Sequence, residues 1–232
     1  MEVRIQKYLS EQGRLSRRET EKYMKKGWVL VNGVAVTTPG TKIDPQKDIV
    51  TFSQDLENEK ATLLYIAFHK PRGIITNCPN AEEREIKDLL PDTLKSVSAI
   101  GRLDKDSEGL ILLSNDGIFA KRCLQSHPPH KRKYEVWIDG NLTPTQKQKI
   151  ERGMTLFGKR TQPLDLKMIT PNHFYMEMVE GKNRQIRRML QKVGQQVIRL
   201  RRLSFGPIQL SSLAPGRWCA LSDSDIQHFL KN

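Results

Sequence analysis

Apolar positions along the first fifty residues change period once. Ile5, Tyr8 and Leu9 are three and four apart, which marks the buried face of a helix that Gly13 ends. Ser16 opens a second helix. It is a favoured N-cap, Glu19 three positions on completes a capping box, and Gly27 is a favoured stop. From Val29 the pattern becomes that of a strand. Val29-Leu30-Val31-Asn32-Gly33-Val34-Ala35-Val36 predicts a β-hairpin through a type I′ turn, whose two central residues need positive φ and so select Asn-Gly. Ile43 and Ile49-Val50-Thr51-Phe52 predict a further strand. Residues 53–62 are polar and acidic with little periodicity, the pattern of a linker. The units on either side are therefore expected to move relative to each other.

Beyond residue 62 strands and helices alternate without a regular βαβ rhythm. Leu63 to Phe68 and Leu110 to Leu113 read as buried strands, the second closed by Asn115-Asp116-Gly117. Tyr134, Val136 and Ile138 alternate with Lys133, Glu135 and Trp137, a half-buried strand with Tyr134 facing inward. Phe174 to Val179 is another strand. Arg184 to Val193 reads as a helix capped by Asn183 and stopped by Gly194, with Ile186, Met189, Leu190 and Val193 on the core face. The expected fold class is α+β: a small helix-hairpin domain over 1–52, a linker over 53–62, and a larger domain over 63–232. The larger domain should carry a mixed, mainly antiparallel sheet flanked by helices.

Composition narrows the function. No run of about 18 apolar residues occurs, so no membrane span is expected. Met1 to Lys7 lacks the apolar core of a signal peptide. Cys78, Cys123 and Cys219 form neither a CxxC pair nor a disulfide framework, which points to a reducing cytoplasm. Net charge is +13 over 232 residues, the balance of a protein that meets a polyanion. The charge is clustered. Arg14, Arg17, Arg18, Lys22, Lys25 and Lys26 form one group, with Arg18, Lys22 and Lys25 at helical spacing. Lys182, Arg184, Arg187, Arg188, Lys192, Arg199, Arg201 and Arg202 form another, with no acid among them. Two clusters suggest two contact surfaces for nucleic acid. His127-Pro128-Pro129-His130 reads as a stiff loop without partner ligands. The chain has no Gly-rich phosphate loop, zinc cluster or HExxH, so neither metal nor cofactor is expected.

The stretch that carries chemistry is Gly101-Arg102-Leu103-Asp104-Lys105-Asp106-Ser107-Glu108-Gly109, just ahead of Leu110-Ile111-Leu112-Leu113. Acids, bases and a hydroxyl are crowded between two glycines. On residue types alone it is either a solvated polar turn or a loop that presents a carboxylate from a rigid scaffold.

Resemblance chooses between these. Over residues 2–50, Ser16-Arg17-Arg18-Glu19 and Gly27-Trp28-Val29-Leu30-Val31-Asn32-Gly33 are similar to the S4 RNA-binding domain. That implies an S4-like domain binding structured RNA, read mostly by shape and phosphates, with Arg17, Arg18 and Lys22 among its contacts. The rest of the chain resembles the RsuA-type pseudouridine synthases, which isomerise uridine in ribosomal RNA. The motifs occur in order: Lys70-Pro71-Arg72-Gly73; Gly101-Arg102-Leu103-Asp104 with Gly109-Leu110; Lys133-Tyr134-Glu135-Val136; the Gly181 to Met189 run; Leu200 to Pro207; and Pro215-Gly216-Arg217-Trp218. The large-subunit branch, that of synthase F, is nearest. His69, where Asn is frequent, and Cys219, where a basic residue is common, depart from the pattern.

The resemblance implies roles. Asp104 is the catalytic aspartate, Tyr134 stacks on the target base, and Arg187 pairs with the aspartate. Arg102 fills the gap left by the displaced base and Leu200 pads the base pocket. Lys70, Lys182, Arg184 and Arg188 contact RNA, and Arg199, Arg201 and Arg202 read as further phosphate contacts. Asp106 and Glu108 have no matching role, beyond Asp106 bracing the loop. The isomerisation oxidises nothing and moves no phosphate, so it requires no cofactor. A carboxylate can attack C1′ or C6, or serve as base at C2′. It must stay ionised in a dry pocket, where burial raises its pKa and a neighbouring arginine counters that. The expected protein is a cytoplasmic monomer with ribosomal RNA, foremost that of the large subunit, as partner. Two rivals are a non-catalytic S4-type ribosome-associated protein and an RNA methyltransferase, which would need a glycine-rich nucleotide loop.

Overall fold

The computed structural model describes residues 1–60, 63–77, 79–80 and 82–231. Cys78, and Ala61 and Thr62 of the expected linker, lie outside the described residues. In the N-terminal region β1 (Val3–Arg4) leads into α1 (Ile5–Glu11), followed by α2 (Arg17–Lys25). The capping box is present: Ser16 Oγ accepts from the Glu19 amide at 3.3 Å, and the Ser16 amide donates to the Glu19 carboxylate at 2.8 Å. Strands β2 (Val29–Val31) and β3 (Val34–Ala35) form the hairpin, with φ of 51° at Asn32 and 81° at Gly33, as a type I′ turn requires. After β4 (Lys42–Ile43), which pairs with β1, β5 (Val50–Phe52) adds to the hairpin. Ile5, Leu9, Met24 and Val29 fill the core beneath.

The 53–62 stretch is a correction to the sequence reading. Gln54–Lys60 is a helix, α3. Its Leu56 is fully buried in the N-terminal core, and Glu59 pairs with Lys22 and, at 2.6 Å, with Lys26. One apolar residue in seven leaves no period to detect, yet burying a leucine contributes about 1.5–3 kcal/mol. The two units also touch. Lys121 Nζ donates to the Ser10 carbonyl at 3.0 Å and the Gly117 amide donates to Glu19 Oε1 at 3.4 Å.

The larger region begins with β6 (Tyr65–Lys70), β7 (Ser98–Ile100) and β8 (Glu108–Ser114). Then come α4 (Gly117–Gln125), β9 (Arg132–Asp139), α5 (Pro144–Glu151) and the short pair β10 (Thr155–Leu156) and β11 (Lys159–Arg160). The chain continues through β12 (Asp165–Thr170), β13 (His173–Met178), α6 (Gln185–Gln191), β14 (Gln196–Phe205), β15 (Ile208–Gln209), β16 (Trp218–Ala220) and α7 (Asp223–Lys231). The spatial order is β12-β13-β9-β14-β8-β6-β16, with β15 on β14 and β7 on β8. Only the β14–β8 pairing is parallel among these strands, so the sheet is mixed and mainly antiparallel.

Strand β8 is buried along its whole length. Ile111 and Leu113 face a core shared with Val136, Phe174 and Met189, while Leu110 and Leu112 face a second core under α4 and α7 with Phe119 and Phe229. A strand covered on both faces reads as an unbroken apolar run, which is what Leu110 to Leu113 is. The Asn115-Asp116-Gly117 stop is also a start, because Asp116 caps α4 through the amides of Ile118 and Phe119.

Candidate active site

The loop 101–107 joins β7 to β8 and enters the middle of the sheet beside β14. Gly109 shows why a glycine closes it. Its φ is +111°, and a Cβ there would lie 2.3 Å from the Arg202 carbonyl oxygen and 2.5 Å from the Arg202 nitrogen. Backbone meets backbone where β8 and β14 run parallel, with Gly109 opposite Arg202. This contact fixes the loop against β14 and its neighbour β9, the strands that carry Leu200 and Tyr134.

These elements enclose a cleft of about 680 Å³, lined by Arg102, Asp104, Tyr134, Arg184 and Leu200 among others. Residues up to 98 positions apart in sequence thus line one cleft. Tyr134 and Leu200 are buried in the wall, whereas Arg102, Lys182 and Arg184 are exposed at the mouth. Asp104 keeps 30% of its side-chain surface exposed, and its carboxylate accepts no hydrogen bond among the described residues. The loop beneath it is clamped. Thr76 Oγ1 donates to the Leu103 carbonyl at 2.7 Å and accepts from the Leu103 amide at 3.0 Å. The Gly73 amide donates to the Lys105 carbonyl at 2.7 Å. Thr76 has no site role in the sequence reading; it stands 27 residues from Leu103, and no spacing connects them.

Arg187 occupies a different place from the one expected. Its Nη2 donates to the Asp106 carbonyl at 3.0 Å and to Ser107 Oγ at 3.3 Å, and its Nη1 donates to the Val197 carbonyl at 3.1 Å. Its Nε lies 3.2 Å from the Asp106 carboxylate, without the alignment of a hydrogen bond. Arg187 therefore pairs with Asp106 and acts on Asp104 only through space. Arg184 stands nearer, with Nη1 3.8 Å from Asp104 Oδ2. Arg184, not Asn183, occupies the cap position of α6, at φ 50°. Burial pushes the Asp106 carboxyl up, but the Arg184 hydrogen bonds and the charges of Arg187 and Arg184 outweigh it and hold it below the usual carboxylate range. Burial lowers the Arg187 pKa against the pull of Asp106.

Several expected RNA contacts also change. Lys70 is fully buried and donates to the carbonyls of Pro71 at 2.9 Å and Ile74 at 2.5 Å. It ties the turn from inside and cannot meet a phosphate. Desolvation pulls its pKa down to about 8, opposed by Asp104, Asp106 and Glu108. Arg202 is buried and donates to the Leu110 carbonyl at 2.6 Å. Arg199 and Arg201 are paired with Glu108 and Glu135, because strand alternation turns them from the cleft to acids on neighbouring strands. Arg188 lies over the Phe157 ring at 4.1 Å. Arg17 and Arg18 are exposed, and Lys22 is shared with Glu59. His130 is packed against Phe229 at 4.6 Å, and no cluster of metal-ligating side chains occurs among the described residues.

Comparison with known proteins shows what the chain is similar to. Residues 64–192 match the family described as RNA pseudouridylate synthase, and residues 3–49 match the S4 domain. The dual-specificity RNA pseudouridine synthase RluF of Escherichia coli is 35% identical over 99% of this chain and 79% of its own. The ribosomal large subunit pseudouridine synthase B of Bacillus subtilis is 32% identical over 97% of this chain and 94% of its own. A crystal structure of a pseudouridylate synthase superposes with a TM-score of 0.71 at 25% identity, covering 98% of this chain and 99% of that one.

Proposed function

The chain belongs to the RNA pseudouridylate synthase family, and from that premise we propose that it isomerises a uridine of large-subunit ribosomal RNA with Asp104 as the reacting carboxylate. The enzyme is an RNA pseudouridine synthase, an isomerase. The observation that carries the assignment of Asp104 is its open carboxylate on a loop clamped from three sides, in the cleft that Tyr134 and Leu200 wall. A relative named as a large-subunit synthase, the S4 match and the net charge of +13 support ribosomal RNA as the partner.

The chemistry sets what each residue does. The N1–C1′ bond of uridine breaks, the uracil turns, and C5 bonds to C1′; C5 loses a proton and N1 ends with one. Asp104 supplies the electron pair that starts this, at C1′, at C6 or on the proton at C2′. The target base must first leave its stack, at a cost of a few kcal/mol. Stacking on Tyr134 returns about 1–3 kcal/mol, and Leu200 excludes water beside it. Arg102 at the mouth holds phosphate or fills the vacated stack. Arg17 and Arg18, with Lys182 and Arg184, extend phosphate contact over both units.

Asp104→Asn keeps the size of the side chain and removes its negative charge. It should lower tritium release from ribosomal RNA carrying 5-tritiated uridine by at least about a thousandfold, with RNA binding retained. Undiminished release from the Asn variant would remove Asp104 from the reaction. Pseudouridine maps of total RNA from cells with and without the protein identify the target. A missing site in small-subunit RNA alone would overturn the large-subunit assignment.

A further inference from the structure

We propose that Asp106 is a positioning residue which holds Arg184 away from Asp104, so that the reacting carboxylate stays uncovered. The inference rests on the reading of Asp104 as the reacting group. Arg184 spans the two acids. Its Nη1 and Nη2 donate to the two carboxylate oxygens of Asp106 at 3.0 and 2.9 Å, the paired geometry that a planar guanidinium makes with a carboxylate. The same Nη1 is 3.8 Å from Asp104 Oδ2. A shift of about 1 Å would turn that approach into a charge-assisted hydrogen bond. A carboxylate so engaged has its lone pairs occupied and is a weaker nucleophile and base.

The neighbouring arginine does not have this freedom. Arg187 loses its 3.2 Å ion pair when the Asp106 carboxylate is removed, but its hydrogen bonds to the carbonyls of Val197 and Asp106 and to Ser107 Oγ keep it in place. Arg184 is exposed, and its guanidinium has no described partner other than Asp106 and Asp104. Its backbone sits at φ 50°, a left-handed conformation uncommon outside glycine, and its side chain reaches the loop at Asp106. Removing the Asp106 charge therefore frees one guanidinium next to Asp104 and leaves the other tied. The two acids compete for Arg184, and Asp106 wins by its second hydrogen bond.

The test is a double-mutant cycle on the full chain. Single-turnover release of tritium is measured with saturating enzyme on ribosomal RNA transcribed with 5-tritiated uridine, so that weakened binding does not enter. Asp106→Asn should slow the reaction about tenfold, the scale of one hydrogen bond to a charged group. Asp106→Asn combined with Arg184→Ala should be at least threefold faster than Asp106→Asn alone, on the order of half that loss on a logarithmic scale. A loop that is merely loosened would not recover when a second side chain is deleted. If the double variant is as slow as the single, or Asp106→Asn is as fast as the parent, the proposal fails. Should Asp106→Asn fail to fold by thermal melting, Asp106→Ser is used in the same cycle. Failure of the underlying reading is seen separately, as activity that survives Asp104→Asn.

Discussion

At the scale of single residues, the fold treats the charges expected to meet RNA in three ways. Arg17, Arg18, Lys182 and Arg184 remain at the surface, Arg199 and Arg201 are neutralised by glutamates, and Lys70 and Arg202 are buried. Lys70 has a measurable consequence. An ordinary lysine titrates near 10.5, and burial brings this one to about 8. Below about 8 both folded and unfolded chains hold the proton, and the full cost of burying the charge is present. Between about 8 and 10.5 the unfolded chain binds the proton that folded Lys70 has released, so stability rises with pH across that window. The gain is on the order of 3 kcal/mol. Lys70→Met should abolish this increment, seen as a flatter pH dependence in urea unfolding at pH 7.5, 9 and 10.5. Equal slopes in the two proteins would count against a buried charge at this position.

At the scale of elements, local signals located what local chemistry controls. The capping box at Ser16, the Asn32-Gly33 turn and the alternation from Tyr134 to Ile138 are written within a few residues, and all three form. Helix α3 was illegible because its single apolar residue, Leu56, gains meaning only from the core that receives it. Gly109 belongs to the same class. Its presence could be read, but its need comes from the Arg202 backbone, whose carbonyl oxygen would lie 2.3 Å from any Cβ placed there, across a parallel pairing 93 residues away. Gly109→Ala should cost at least about 3 kcal/mol, since both the positive φ and a backbone clash oppose it. Thermal unfolding checks this. A loss below about 1 kcal/mol would mean that β8 and β14 separate without penalty.

At the scale of the whole molecule, the capping box of α2 also forms part of the contact between the two units. A Cβ on Gly117 would lie 2.5 Å from Ser16 Cβ and 2.6 Å from a Glu19 carboxylate oxygen, so the N-terminus of α4 accepts the start of α2 only as glycine. We place the working boundary after α3 rather than at residue 52, because Leu56 and Glu59 belong to the N-terminal unit. Gly117→Val should undock that unit while the large sheet persists. Solution scattering would then give a larger radius of gyration, and RNA affinity should fall at least about tenfold as the two basic surfaces lose their fixed separation. An unchanged radius and affinity would show that the contact does not set the arrangement.

By itself the sequence carried the α+β class and the order of the motifs, while the reaction and the residues expected to serve it came from the resemblance of those motifs to a known family. The class follows from period, turn chemistry and residue type, which act over a few positions, and the resemblance persists as an ordered pattern along the chain. Tertiary structure alone decided which arginine meets which acid, which lysine loses its water, and whether a polar stretch becomes a helix. Those outcomes depend on distances of a few ångströms between segments from 33 to 92 residues apart. Coulomb attraction and desolvation change steeply over such distances, and the sequence records the charges without recording their separation.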